Sequence, residues 1–161
     1  MGTPEFITEL RRHVGHAPLW LVGTAAVVLR DADDGPEVLL MRRSDSGEWS
    51  LISGIVDPGE HPADTIVREA MEEAEVTIEV ERLLWLVVDE PITYSNGDEC
   101  QYLDHGFLAR WCAGEARVGD DESIEVGWFA VDALPMPQRT GLARMVAIGV
   151  NAPRDLLFSL D

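Results

Sequence analysis

Residues 54–76 read GIVDPGEHPADTIVREAMEEAEV, and this stretch decides how the rest of the chain is read. Ala63, Ile66, Val67, Ala70, Met71 and Ala74 recur at spacings of three and four, which places them in one apolar stripe along a helix. Pro62 suits the first turn of that helix, where a missing N–H costs little. Glu69, Glu72 and Glu73 share another side, away from the middle of the stripe. Like charges at that spacing repel and cost roughly a few tenths of a kcal/mol. Most acidic helix faces are simply solvated surface. A hard divalent cation such as Mg2+, whose shell is carboxylate and water oxygen, would give this one a use.

The triplet sits within a longer pattern. Gly54 is followed after five residues by Glu60, and after seven more by Arg68-Glu69-Ala70-Met71-Glu72-Glu73-Ala74-Glu75-Val76. This resembles the box of the Nudix hydrolase family, Gly-x5-Glu-x7-Arg-Glu-U-x-Glu-Glu-x-Gly-U, where U is aliphatic. Gly54, Glu60, Arg68, Glu69, Glu72 and Glu73 match its glycine and charged positions, and Ala70 and Val76 its aliphatic ones. Six such matches arise by chance on the order of once in ten thousand chains of this size, so the pattern outweighs a solvated acidic face. Glu75 stands where the family has glycine. That glycine ends the helix in a left-handed conformation, which costs another residue roughly 1 kcal/mol. The departure bears on the helix end, not on the carboxylates.

Outside the box, Trp49-Ser50-Leu51-Ile52-Ser53-Gly54 resembles the family's Trp-x-Leu-Pro-Gly-Gly approach, with Ile52 and Ser53 replacing proline and glycine. Val38 to Arg43 resembles the family strand that ends in arginine. The resemblance spans roughly Leu21 to Val131. It implies a cation, Mg2+ or Mn2+, held by Glu69 and Glu73 with Glu72 sharing it, and with the carbonyl of Ser53 as a further ligand. It implies that Arg68 and Glu60 pair to hold the Gly54 loop and the helix in place. The general base could be Glu69, Glu72 or a carboxylate outside the box. The loop Asp120-Asp121-Glu122 precedes a strand, some relatives place a catalytic glutamate there, and Glu122 is the choice. Arg43 offers a planar fork for a substrate phosphate, though a surface ion pair is the commoner use of such a residue. Tyr94, Tyr102 and Trp128 could stack on a base, with core packing the commoner role. His13, His16, His61 and His105 show no interpretable partner spacing.

The remaining segments read as strands and turns. Ile7 to Val14 suits a short N-terminal helix, and Met1 to Phe6 read as a cloning scar. Strands are expected at 21–29, 37–41, 49–52, 76–88, 102–111 and 126–131, with a turn over Asp31 to Gly35, a glycine-bearing loop from Ser53 to Gly59, and a closing helix from Arg139 to Ile148. This order predicts an α/β fold, a Nudix-type α/β/α sandwich on a mixed sheet, in a single domain covering residues 1–161.

The chain has 161 residues, 46% of them apolar, and a formal net charge of −18 without a single lysine. That charge repels nucleic-acid backbones and disfavours a polymer partner, while it suits cations or small anions delivered as metal complexes. No apolar run reaches the roughly 20 residues of a membrane span, and Glu5 and Glu9 spoil a secretory leader. Cys100 and Cys112 lack zinc-type spacing and are expected as free thiols in a cytoplasmic protein. The resemblance therefore implies hydrolysis of a phosphoanhydride bond in a small nucleoside diphosphate derivative. Pro91, shortly after the box, points to ADP-ribose, while Tyr94 points to diadenosine polyphosphates. Nucleoside triphosphate hydrolysis, a non-catalytic nucleotide-binding module and an isoprenoid diphosphate isomerase are the competing readings. Intact Glu69, Glu72 and Glu73 speak against the module, and neither cysteine has the context the isomerase needs. A homodimer is common in the family.

Overall fold

The computed structural model describes residues 3–160. Met1 and Gly2, part of the stretch read as a cloning scar, lie outside the described residues. The rest of that stretch is structural: helix α1 runs Glu5–Val14, and Phe6 packs beside buried Ile7. The strands are β1 (Leu19–Ala32), β2 (Gly35–Arg43), β3 (Trp49–Ser50), β4 (Ile52–Ile55), β5 (Thr77–Val88), β6 (Ile92–Thr93), β7 (Glu99–Ala113) and β8 (Ser123–Ala130). Helix α2 is Pro62–Ala74 and helix α3 is Leu142–Asn151.

One eight-stranded sheet has the central order β3-β2-β1-β7-β5, with β4 on β1, β6 on β7 and β8 on β2. β1 and β7 pair in parallel and the other strand pairs are antiparallel, so the sheet is mixed. β1 is central, so both of its faces are covered and its sequence is almost continuously apolar instead of alternating. Ala26 and Val28 of β1 pack with Ile66, Ala70 and Ala74 of α2. Ala25, Val27 and Leu29 pack on the opposite face with Leu142 and Val146 of α3. The molecule is thus an α/β/α sandwich. By the same parity Leu21 and Gly23 lie on the α3 face, as do Tyr102, Asp104 and Leu108 of β7, which runs in register with β1.

β1, β2 and β7 extend beyond both of their expected ends, β8 starts three residues early and ends at Ala130, and three further differences bear on the site. Ser53 belongs to β4, where it pairs with Ala25, and not to the following loop. α3 begins at Leu142 and not at Arg139, because Gly141 at φ 85° lies in the left-handed region and cannot be part of a right-handed helix. β6 was not expected. Its two residues pair with Cys100 and Glu99.

α2 forms as its stripe dictates. The ring of His61 accepts from the Ala63 N–H at 3.2 Å at the N-terminus, with Pro62 in the first turn. At the C-terminus Glu75 adopts φ 56° and ψ 29°, the left-handed conformation usually given to glycine. The Val76 N–H then reaches back to the Ala70 carbonyl at 3.3 Å, and both residues are fully buried in the same cluster. The chain returning from β7 satisfies two more carbonyls: Arg117 N–H donates to Ala74 and Gly119 N–H to Glu73, each at 3.1 Å. This return delivers Asp120 to Glu122 to the end of α2.

Candidate active site

Arg68 organises the acidic face of α2. Its guanidinium grips Glu60 with two hydrogen bonds of 3.0 Å, Nε to Oε1 and Nη2 to Oε2. Its Nη1 donates to Glu69 Oε1 at 2.9 Å and to Glu72 Oε2 at 3.0 Å. Thr65 donates to Glu60 Oε2 at 2.7 Å. Arg68 holds the Glu60 carboxyl down at about 2, far below the ordinary range, so this pair stays ionised and fixes the loop after β4 to the helix.

Glu69 and Glu73 are in the opposite electrostatic situation. Burial raises the Glu69 carboxyl to about 7, with Arg68 working against the rise and Glu72 and Glu122 adding to it. Burial raises Glu73 to about 9, reinforced by Glu69, Glu122 and Asp120, while the Ser53 N–H lowers it. Glu73 is only 2% exposed, and its Oε2 has no hydrogen-bond partner. A buried carboxylate oxygen without a donor is costly, and three mutually repelling carboxylates around it need positive charge. The donor set is all oxygen, which fits a hard divalent ion. Among the described residues no group of three acidic, histidine or cysteine side chains already has metal-holding geometry. A Mg2+-like ion commonly sits on one or two carboxylates and keeps several waters, so two carboxylates on one helix are enough to fit such an ion.

Glu69 opens onto a cavity of about 830 Å3, within the range of small-ligand sites, while Glu73 is buried behind its wall. Ser53, Gly54, Arg68, Glu69, Asp121 and Glu122 line one part of it together with Arg43. Glu72 does not line it. It lies beside a second concavity, with Met71, Glu75 and Asp120, while Arg68 Nη1 bridges it to Glu69. Arg43 grips Asp45 through Nε at 2.9 Å and Nη2 at 2.7 Å, so its fork is already engaged. Tyr94 and Tyr102 also line the cavity, and their hydroxyls are 2.9 Å apart. Trp128 does not line it: it packs edge-on to Trp111 and under the Arg30 guanidinium, 4.3 Å from the ring centre.

Asp89, Asp104 and Arg139 line the same cavity and were not singled out from the sequence. The available signal is parity: Asp104 alternates with Tyr102, Gly106 and Leu108, an acid in an inward-facing series. The histidines also acquire partners. His61 caps α2, His16 meets Asp98 at 2.7 Å, and His105 Nδ1 donates to the Gly23 carbonyl at 3.1 Å.

The NUDIX domain model matches residues 20–147. The chain is 34% identical over 117 residues to the NAD-capped RNA hydrolase NudC of Pseudomonas fluorescens, covering 68% of this chain and 38% of that protein. It is 29% identical over 156 residues to the 8-oxo-dGDP phosphatase NUDT18 of Mus musculus, covering 93% of this chain and 43% of that one. The chain thus spans about two fifths of the length of these curated relatives. Among solved structures, an ADP-ribose pyrophosphatase from Streptococcus suis superposes with a TM-score of 0.64 at 25% identity, covering 86% of this chain and 96% of its own. A MutT NUDIX hydrolase from Burkholderia pseudomallei gives 0.61 at 32% identity, covering 80% and 97%.

Proposed function

The chain belongs to the NUDIX family, and on that premise we propose that it hydrolyses a phosphoanhydride bond in a small nucleoside diphosphate derivative with the help of Mg2+ or Mn2+. The observation that carries this reading is the buried, unpartnered Oε2 of Glu73, coupled electrostatically to Glu69, which lines a cavity large enough for a nucleotide. Glu69, Glu73 and the Ser53 carbonyl hold the cation, and Glu122 completes the acidic wall. The bound ion supplies charge neutralisation of the diphosphate and activation of the attacking water. Glu122 is the general base, on its place at the cavity. Arg68 and Glu60 position Glu69. Arg43 takes a substrate phosphate once Asp45 yields it. Glu72, tied to Arg68, supports the arrangement.

ADP-ribose is the first substrate to test, on two grounds. Pro91 stands shortly after the box, directly before β6, whose Ile92 borders the cavity. The superposable Streptococcus suis protein is described as an ADP-ribose pyrophosphatase. Nucleoside triphosphates are the second candidate. The acidic surface and the 830 Å3 cavity favour a small ligand over a nucleic-acid polymer. Among the described residues no helix is long and apolar enough to cross a membrane. Both cysteines are free thiols, which suits the cytoplasmic location proposed here. The test is product release from ADP-ribose, nucleoside di- and triphosphates and an isoprenoid diphosphate, with Mg2+ and with chelator. Mg2+-dependent AMP and ribose 5-phosphate from ADP-ribose support the reading. Nucleotide binding without turnover of any compound refutes it.

A further inference from the structure

The cavity extends well beyond the acidic wall of α2. Along β1, Thr24 pairs with Gly54, while Gly23 and Leu21 lead away from it to Asp104 and Tyr102 on β7. This distant part has a different chemistry. Ile7 of α1, Leu21 and Tyr102 form one buried apolar cluster at its wall. Arg11 fixes α1 there: its guanidinium donates to the carbonyls of Ala17 at 2.6 Å and Glu99 at 2.8 Å. An apolar wall with an aromatic edge suits the flat face of a base.

One acceptor is built into this wall. Trp85 Nε1 donates to Asp104 Oδ2 at 2.7 Å, which fixes the carboxylate; the His105 backbone N–H also favours its charged form, and the carboxylate keeps acceptor capacity at Oδ1. Oδ1 lies over Gly23, where a Cβ would stand 3.2 Å away. Asp89 enters from the end of β5, held by its N–H on the Tyr102 carbonyl at 2.9 Å. No hydrogen bond to its carboxylate is present among the described residues. Burial and Asp104 raise Asp89 to about 6, with Arg139 opposing, and burial also raises Asp104, against Trp85, His105 and Arg139. A neutral group with two N–H donors would relieve both carboxylates without bringing a charge into the apolar wall.

We propose that this end of the cavity receives the base of the nucleotide and that Asp104, positioned by Trp85 and seconded by Asp89, accepts a hydrogen bond from an exocyclic amino group of a purine. The proposal rests on the functional reading above and deepens it: an amine-bearing purine is the substrate class, and α1, outside the matched family segment, is part of the binding site. Adenine and guanine both carry such an amine, at different ring positions. Hypoxanthine carries none and has an acceptor oxygen where adenine has its amine.

The test is equilibrium binding of AMP, GMP and IMP to the full chain with Mg2+, for wild type and Asp104→Asn. Wild type should bind AMP or GMP at least about tenfold more tightly than IMP, as expected for losing a hydrogen bond to a charged acceptor. Whichever of the two is preferred identifies the amine that is read. In Asp104→Asn the amide oxygen can keep the Trp85 bond while its NH2 faces the cavity, so that preference should collapse towards IMP. Equal affinities in wild type, no saturable binding of any of the three, or an unchanged ratio in a folded Asp104→Asn would overturn the proposal. If Asp104→Asn does not fold, the wild-type ratio decides. No hydrolysis is needed, so a chain that selects the amine but cleaves nothing refutes the functional reading and keeps this one, whereas turnover without selection does the reverse.

Discussion

Glu69 lies across the backbone of Gly54, so that a Cβ at residue 54 would stand 2.5 Å from both Cγ and Cδ of the glutamate. The first glycine of the box is thereby explained without a turn. Gly54 sits inside β4, paired with Thr24, and its missing side chain is the space that Glu69 occupies between Arg68 and the cavity.

Gly54→Ala should therefore keep the fold, because the displaced atoms belong to a flexible side chain, but should push Glu69 out of place. kcat/KM is expected to fall at least about tenfold, with the melting temperature within a few degrees of wild type. Activity within a factor of two of wild type would show that the placement of Glu69 is not critical.

The buried carboxyl of Glu73 gives stability a pH dependence in the cation-free protein. Its folded value, about 9, lies above the ordinary 4.5, so the folded chain holds the proton more tightly than the unfolded one. The penalty is absent below about pH 4.5, grows as pH rises through the window between the two values, and is complete above about 9. Glu73→Gln should remove it. The metal-free variant should be more stable than wild type at pH 8, by on the order of 2 kcal/mol, and no more stable at pH 4.5. Denaturant unfolding in chelator at the two pH values measures this, and a difference that does not change with pH contradicts it.

Glu75, at φ 56°, occupies the glycine position of the box in the conformation glycine would adopt. Glu75→Gly should stabilise the chain by about 1 kcal/mol, or roughly 2–4 °C in melting temperature, and leave activity nearly unchanged. A lower melting temperature would mean that the lost side chain mattered more than the relieved backbone.

Asp45 holds the Arg43 fork that a phosphate would use. Asp45→Ala should lower KM about two- to threefold, while Arg43→Ala should raise it at least about fivefold with a smaller change in kcat. If both leave KM unchanged, Arg43 serves only to order its own loop.

How much of this was legible follows from the physics of each element. α2 was, because its stripe, its proline and its acidic face each constrain the same 13 residues. Its unusual end was too, since only one box position departs. β1 was read too short because Leu19 and Trp20 flank the apolar run without an alternation to mark them. β6 could not be read, since two residues carry no period. The position of Glu122 depended on a loop whose docking, through Gly119 and Arg117 on the last carbonyls of α2, is a tertiary event. Asp104 was missed because a single aspartate in a strand becomes informative only when its neighbours in register are known.

The central claim is that Glu69 and Glu73 hold the cation on which hydrolysis depends. The most direct measurement is the initial rate of ADP-ribose cleavage as Mg2+ is titrated into chelator-treated wild type and Glu73→Gln. Wild type should be inactive without the ion and activate saturably, and the folded variant should reach at most about a tenth of that rate or need at least about tenfold more Mg2+. Cleavage that persists in chelator, or a Glu73→Gln titration that overlays wild type, would contradict the account.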